Sequence, residues 1–297
     1  MQTGVNIYVV GCGGIGGYLA EHLPGAITAI NLHYIEKIRG KDAMVDLLER
    51  AGQVALPSLI DRVVLIDGDT FNPRNAIRQT NGAGNKMRQV VSKLQDSMMN
   101  ISYNQNVSFD GINDYVTPEN IQQYIPLHPA PNPWNDKMDR ECFVPLVGDF
   151  DRRPYTVIFL CVDNLKTRWE ISKYAEDFDN VLVINGGNKK VVGHVTIYER
   201  RNGEPLDPNL FEVYTDVTPD KDKRPDELAC TTVAPDLDQL GTVNCVIACQ
   251  MIDMFSKWAK VGLDSFPSGK NTCRKNEVIY DAESKVMTPL FHPKAQK

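Results

Sequence analysis

Short blocks of consecutive apolar residues, rich in Val and Ile, alternate along this chain with longer stretches whose apolar positions recur at three- and four-residue spacings. A strand buried on both faces reads as an unbroken apolar run, because successive side chains point to opposite faces and both meet core. An amphipathic helix instead shows an apolar stripe at helical period. On that basis residues 5–10 (VNIYVV), 62–66, 157–161, 181–184 and 191–198 are predicted strands. Residues 15–22, 43–51, 86–99, 165–178 and 240–258 are predicted helices. A short strand at 107–109, a helix beginning at Pro118-Glu119 and a terminal hairpin within 277–290 complete the set. Residues 126–154 are rich in proline and polar side chains and read as a long loop or lid. This alternation predicts an α/β fold: a Rossmann-like, mostly parallel sheet flanked by helices, with a C-terminal antiparallel extension. Residues 1–297 read as one domain, with insertions near 24–60 and 104–154 and a crossover loop near 200–238.

Composition narrows the function classes. Hydrophobic residues make up 42% of the 297, enough for a large core. The formal net charge of −6 disfavours nucleic acid or a membrane surface as partner. No stretch has the length and purity of a membrane span. The N-terminus shows neither a basic start nor a cleavage site, so a cytoplasmic protein is expected. Seven cysteines stand at positions 12, 142, 161, 230, 245, 249 and 273, an odd count that suits a reducing compartment. No Cys-x-x-Cys pair occurs, so a structural zinc site is not expected. Cys245 and Cys249, four apart on an apolar helix, read as core thiols, and Cys12 and Cys161 as structural.

Three polar motifs follow predicted strands. Gly11-Cys12-Gly13-Gly14-Ile15-Gly16 lies between the first strand and the first helix. Glycines let a backbone approach phosphate closely, and a helix N-terminus offers N–H donors and positive potential. Asp67, at the end of the second strand, is placed to accept bonds from ribose hydroxyls, with Asp69 beside it. Asn75, Arg78 and Gln79 follow, and Lys86 opens the next helix. Arginine forks onto phosphate oxygens and lysine supplies a point charge. Asp163 ends the 157–161 strand, where a carboxylate can hold Mg²⁺ against a triphosphate. Asn164, Thr167 and Arg168 fix that turn and cap the following helix.

In order and internal spacing these motifs resemble the ThiF/MoeB family, the adenylating family that includes ubiquitin-activating enzymes. The matching residues are Gly11, Gly13, Gly14 and Gly16; Asp67, Asp69, Asn75, Arg78 and Gln79; Lys86; then Asp163, Asn164, Thr167 and Arg168. Asn185-Gly-Gly187, Gly193-His-Val195 and Leu240-Gly241 extend the resemblance over most of the chain. It implies binding of ATP with Mg²⁺ and adenylation of the C-terminal glycine carboxylate of a ubiquitin-like or sulfur-carrier protein, by a homodimer. It assigns Gly13 and Gly14 to the phosphates, Asp67 to the ribose, Asn75, Arg78 and Lys86 to the triphosphate, and Asp163 to magnesium. The family's thioester-forming cysteine, where present, lies in the region of Cys230, which could attack an acyl-adenylate and release AMP. The zinc-binding cysteine pairs of many members are absent. Adenylation of a peptide C-terminus and a non-catalytic partner subunit are the alternatives. A nicotinamide-dependent oxidoreductase would use the glycine turn but leave Asn75, Arg78 and Asp163 without a role.

Overall fold

Val5–Val10 form strand β1, and all six residues are buried. A computed structural model describes this strand together with the rest of residues 4–49, 58–71, 84–85, 107–129, 154–188, 191–216, 241–264 and 276–292. β1 lies at the centre of a nine-stranded sheet, paired in parallel with β2 (Ile60–Ile66) on one side and β6 (Tyr155–Leu160) on the other. β5 (Ser108–Ile112) extends the parallel sheet beyond β2, and β7 (Val181–Asn188) extends it beyond β6. Past β7 the sheet turns antiparallel through β8 (Val192–Arg201), β10 (Glu277–Asp281) and β11 (Val286–Leu290), with the short β9 (Glu204–Pro205) also on β8. A separate two-stranded ladder joins β3 (Thr70–Phe71) to β4 (Gly84–Asn85).

The two faces of the sheet fill two cores, as period-two alternation requires. Val5, Ile7 and Val9 of β1 point into one core, with Val157 and Phe159 of β6 and Leu182 and Ile184 of β7. Helices α1 (Gly14–Arg39) and α6 (Gly241–Asp264) cover that face. Phe159 meets Phe255 of α6 edge-on, with ring centroids 5.5 Å apart. Tyr8 and Val10 point the other way, into a core with Ile158, Leu160 and Val183. The short helix α3 (Ile121–Tyr124) and helix α4 (Leu165–Tyr174) cover this second face.

The first crossover differs from the expectation of a short helix and a separate insertion. α1 runs unbroken through Pro24 to Arg39, and α2 (Lys41–Glu49) follows it. An interior proline costs a helix about 3 kcal/mol through a lost N–H and a clash with the preceding turn. Here Leu19, Leu23, Ile27, Ile30 and Tyr34 form one buried stripe on the core face. Each such side chain contributes roughly 1.5–3 kcal/mol when fully buried, so the stripe outweighs the proline. The 104–154 region also contains more than an insertion, since β5 is an integral parallel strand. Within the 200–238 crossover, helix α5 (Leu210–Val213) docks on α4. Asn209 caps α5 and also donates from Nδ2 to the Ser172 carbonyl, 2.8 Å away. The terminal hairpin appears as β10 and β11.

Candidate active site

The chain leaves β1 for β2 and β5 on one side and returns to β6 and β7 on the other. The direction of strand addition therefore reverses between β1 and β6. Beyond the carboxyl ends of strands, such a reversal opens a crevice that suits ligands. The glycine turn after β1, Asp67 after β2 and Asp163 after β6 follow three adjacent parallel strands at this edge.

The turn needs its glycines for identifiable reasons. Gly11 has φ +88°, and a side chain there would meet the Cys161 carbonyl carbon at 2.9 Å, across the β1–β6 gap. A Cβ at Gly16 would lie 1.8 Å from the Gly11 carbonyl oxygen, so the helix start packs directly on the turn. A Cβ at Gly14 would fall 2.4 Å from Nδ2 of Asn244 on α6. Gly13 is the N-cap residue of α1, and no side chain caps that end. The first N–H groups of the helix therefore remain as donors.

Asp67 organises this turn from the next strand. Its Oδ2 accepts from the Cys12 N–H at 2.6 Å and its Oδ1 from the Asp69 N–H at 2.8 Å. Asp69 turns its own Oδ1 to the Thr70 N–H at 2.8 Å, the role of a turn aspartate. Asn75, Arg78, Gln79, Lys86 and Cys230 lie outside the described residues. The chain flanking the first three is tied down, because Thr70 pairs with Asn85 and Phe71 with Gly84.

Asp163 is exposed, on a turn held from beneath. Asn164 caps α4, accepting from the Thr167 N–H at 2.8 Å. Arg168 is buried and donates to the Val162 carbonyl, to Asn185 Oδ1 and, at 2.8 Å, to the Gly186 carbonyl. Burial lowers its pKa, which the neighbouring Cys161 and Asp163 oppose. The guanidinium thus clasps the Asp163 turn to β7, and the sequence reading of Arg168 as a turn-fixing residue holds. Buried Cys161 has its thiol pushed up to about 12 by desolvation, which makes it inert, as its structural reading requires.

Two buried amides at this edge carry an unpartnered donor: Nδ2 of Asn164 and Nδ2 of Asn244. Buried N–H groups without partners are costly, so each calls for an explanation such as a bound ligand. Asn244 Oδ1 accepts from Asn188 Nδ2, which fixes which face of the amide meets Gly14. Sequence reading missed Asn244; its one signal is a polar side chain amid the apolar pattern of α6. Uncapped helix N–H groups, a glycine cradle and two amide donors fit a phosphorylated, anionic ligand. The exposed Asp163 carboxylate fits a hard cation beside it. A separate cavity, lined in part by Asn185, Thr196, Asn209, Asn276 and His292, includes no residue of the glycine turn. Among the described residues no helix is long and apolar enough to cross a membrane.

No family model matches the sequence, and no curated protein matches it. Solved structures do resemble the fold. E. coli MccB with ATP superposes at a TM-score of 0.56 and 12% identity, over 99% of this chain and 65% of that one. The microcin C7 biosynthetic enzyme MccB in complex with N-formylated MccA gives 0.54 and 12%, over 96% and 64%. PaaA gives 0.51 and 16%, over 98% and 65%. The chain therefore spans just under two thirds of the length of these proteins, and shares their fold.

Proposed function

We propose that this protein adenylates the C-terminal carboxylate of a peptide with ATP. The observation that carries the reading is the convergence of Gly11–Gly16, Asp67 and Asp163 beyond three adjacent parallel strands, at the point where strand addition reverses. MccB, which shares the fold, has been solved with ATP and with the peptide MccA, and this favours a peptide over a ubiquitin-like or sulfur-carrier protein as substrate.

In the reaction a carboxylate oxygen bonds to the α-phosphorus while the α–β bridging oxygen leaves with pyrophosphate. Both reactants are anionic, so catalysis consists mainly of neutralising charge and aligning the two. The α1 N–H groups and the amides of Asn164 and Asn244 would hold the phosphates. Asp67 would take the ribose hydroxyls while keeping the turn closed. Asn75, Arg78 and Lys86 would add positive charge and donors, with Gln79 beside them. Magnesium held by Asp163 would offset charge on the triphosphate. Cys230 belongs to a possible second step, transfer of the acyl group to a thiol, and homodimerisation belongs to the same proposal.

The test is ATP–pyrophosphate exchange with a panel of peptides bearing free or amidated C-termini, beside ubiquitin-fold proteins ending in glycine. Exchange that needs a free peptide carboxylate and disappears in Asp163→Ala supports the proposal. Exchange with the ubiquitin-fold proteins alone moves the substrate to a carrier protein. No exchange with either, in protein that binds ATP, overturns adenylation.

A further inference from the structure

The far side of the α1–α6 pair brings together residues that local spacing separates. His22 of α1 lies beside Cys245 and Cys249 of α6, with one ligand atom from each within 4.8 Å of the others. The expectation that both cysteines are core is corrected here. Cys249 is exposed and Cys245 only half-buried, because residues four apart share a helix face and this face lies at the edge of the α1 contact. The apolar positions that α6 buries against the sheet are instead Val243, Ile247, Ala248 and Met251.

We propose that His22, Cys245 and Cys249 bind a thiophilic divalent cation of the zinc class. Two thiolates and one imidazole are a common donor set for Zn²⁺, with Zn–S near 2.3 Å and Zn–N near 2.0–2.1 Å. Tetrahedral ligands at those lengths stand somewhat under 4 Å apart by simple geometry. Small rotamer changes bring the three atoms from their present spacing to that value. The fourth position falls to water or to Glu21, whose carboxylate acts on Cys245. Binding displaces a proton from each thiol, so two protons are released, and two thiolates balance the charge of the ion. Protons compete with the metal for these ligands, so uptake weakens as pH falls.

The site would brace two helices whose relative position matters. Asn244, next to Cys245, packs against Gly14 at the opposite end of the same α1 segment. A metal there would hold α6 against α1 and keep that amide on the glycine turn. Cys245 and Cys249 form a Cys-x3-Cys pair, a spacing that zinc sites use, but the third ligand stands more than two hundred positions away. That is why the count of Cys-x-x-Cys pairs missed it.

The experiment is anaerobic titration of the reduced, metal-stripped full-length protein with Co²⁺, an optical stand-in for Zn²⁺, followed by competition with Zn²⁺. The expected result is one equivalent of tetrahedral cobalt with a thiolate-to-metal band, bleached by zinc. Cys249→Ser and His22→Ala, both at exposed positions, should each weaken binding by at least roughly the 10–100-fold that outer-shell changes cost. Their unfolding midpoints without metal should match the parent, while Cys230→Ser should titrate like the parent. No thiolate band, or a band that survives both ligand substitutions, overturns the proposal, the second outcome placing the ion on other thiols.

Discussion

Asp67 and Glu199 are both carboxylates that gather hydrogen-bond donors, in the parallel and antiparallel halves of one sheet, and they do opposite work. Asp67 is half-buried and takes backbone N–H groups, which closes a turn at the carboxyl end of β2. Glu199 on β8 is fully buried, and its Oε1 takes the Tyr155 hydroxyl at 2.7 Å, the Arg201 guanidinium at 2.9 Å and the Trp258 indole N–H at 3.1 Å. Burial, reinforced by Glu199, holds the Tyr155 phenol well above its usual pKa. One carboxylate therefore shapes a site and the other ties β6, β8 and α6 together. A carboxylate here ties elements together where side chains gather on it, and closes a turn where backbone N–H groups do.

The largest break in that comparison is expected from Glu199→Ala. It removes the acceptor that Tyr155, Trp258 and Arg201 share and should cost about 3–5 kcal/mol of stability, read as a lower urea midpoint. Nucleotide affinity per folded molecule should not change; a midpoint equal to the parent's would sink the structural role. Asp163→Ala is the mirror image. Exchange activity should fall about 100–1,000-fold, the loss typical of one electrostatic contact in a transition state, with the midpoint unmoved.

Arg168→Lys sharpens the comparison, because this residue belongs to both halves. Lysine keeps the charge but cannot fork onto Val162, Asn185 and Gly186 together. A loss of about 1–3 kcal/mol is expected, with a parallel fall in exchange as the Asp163 turn loosens. A variant that loses stability and keeps full activity would show that the clasp does not position Asp163.

The remaining effect is with pH and is confined to alkaline conditions. The Cys161 thiol is raised from 9.0 to about 12 and the Tyr8 phenol from 10.0 to about 12, both chiefly by burial. Both neutral forms are favoured in the folded state, so their contribution is complete below the unfolded values and lost as pH rises toward about 12. Each group adds a slope of up to roughly 1.4 kcal/mol per pH unit inside its window. The urea midpoint should hold below pH 9 and then decline, and Cys161→Ala should delay the onset. A midpoint constant through that range would rule out the burial account.

Much of the fold was legible locally. β1, β2, β6, β7 and β8 announced themselves as apolar runs, since a strand covered on both faces leaves few polar positions to disguise it. The boundaries of α1 were not legible, because Pro24 reads as a stop and only the stripe packed against α6 overrides it. Of the candidate site, Gly11, Gly16, Asp67, Asn164 and Arg168 were legible, as turn chemistry is local. Asn244 was not, because nothing near it in sequence tells an amide aimed at a turn from one facing water. Cys245 and Cys249 misled for a related reason: helical spacing gives the shared face and says nothing of what covers it.

By itself the sequence determined most of the described element types, the α/β class and the places of the three polar motifs, all properties of runs a few residues to a few turns long. Only the tertiary structure decided that β6 adds beside β1 rather than beyond β5, which turns three separate motifs into one crevice. It also decided that His22 meets Cys245 and Cys249. Strand order and helix neighbours are settled by how the buried faces of remote elements fit, and no local pattern records that fit.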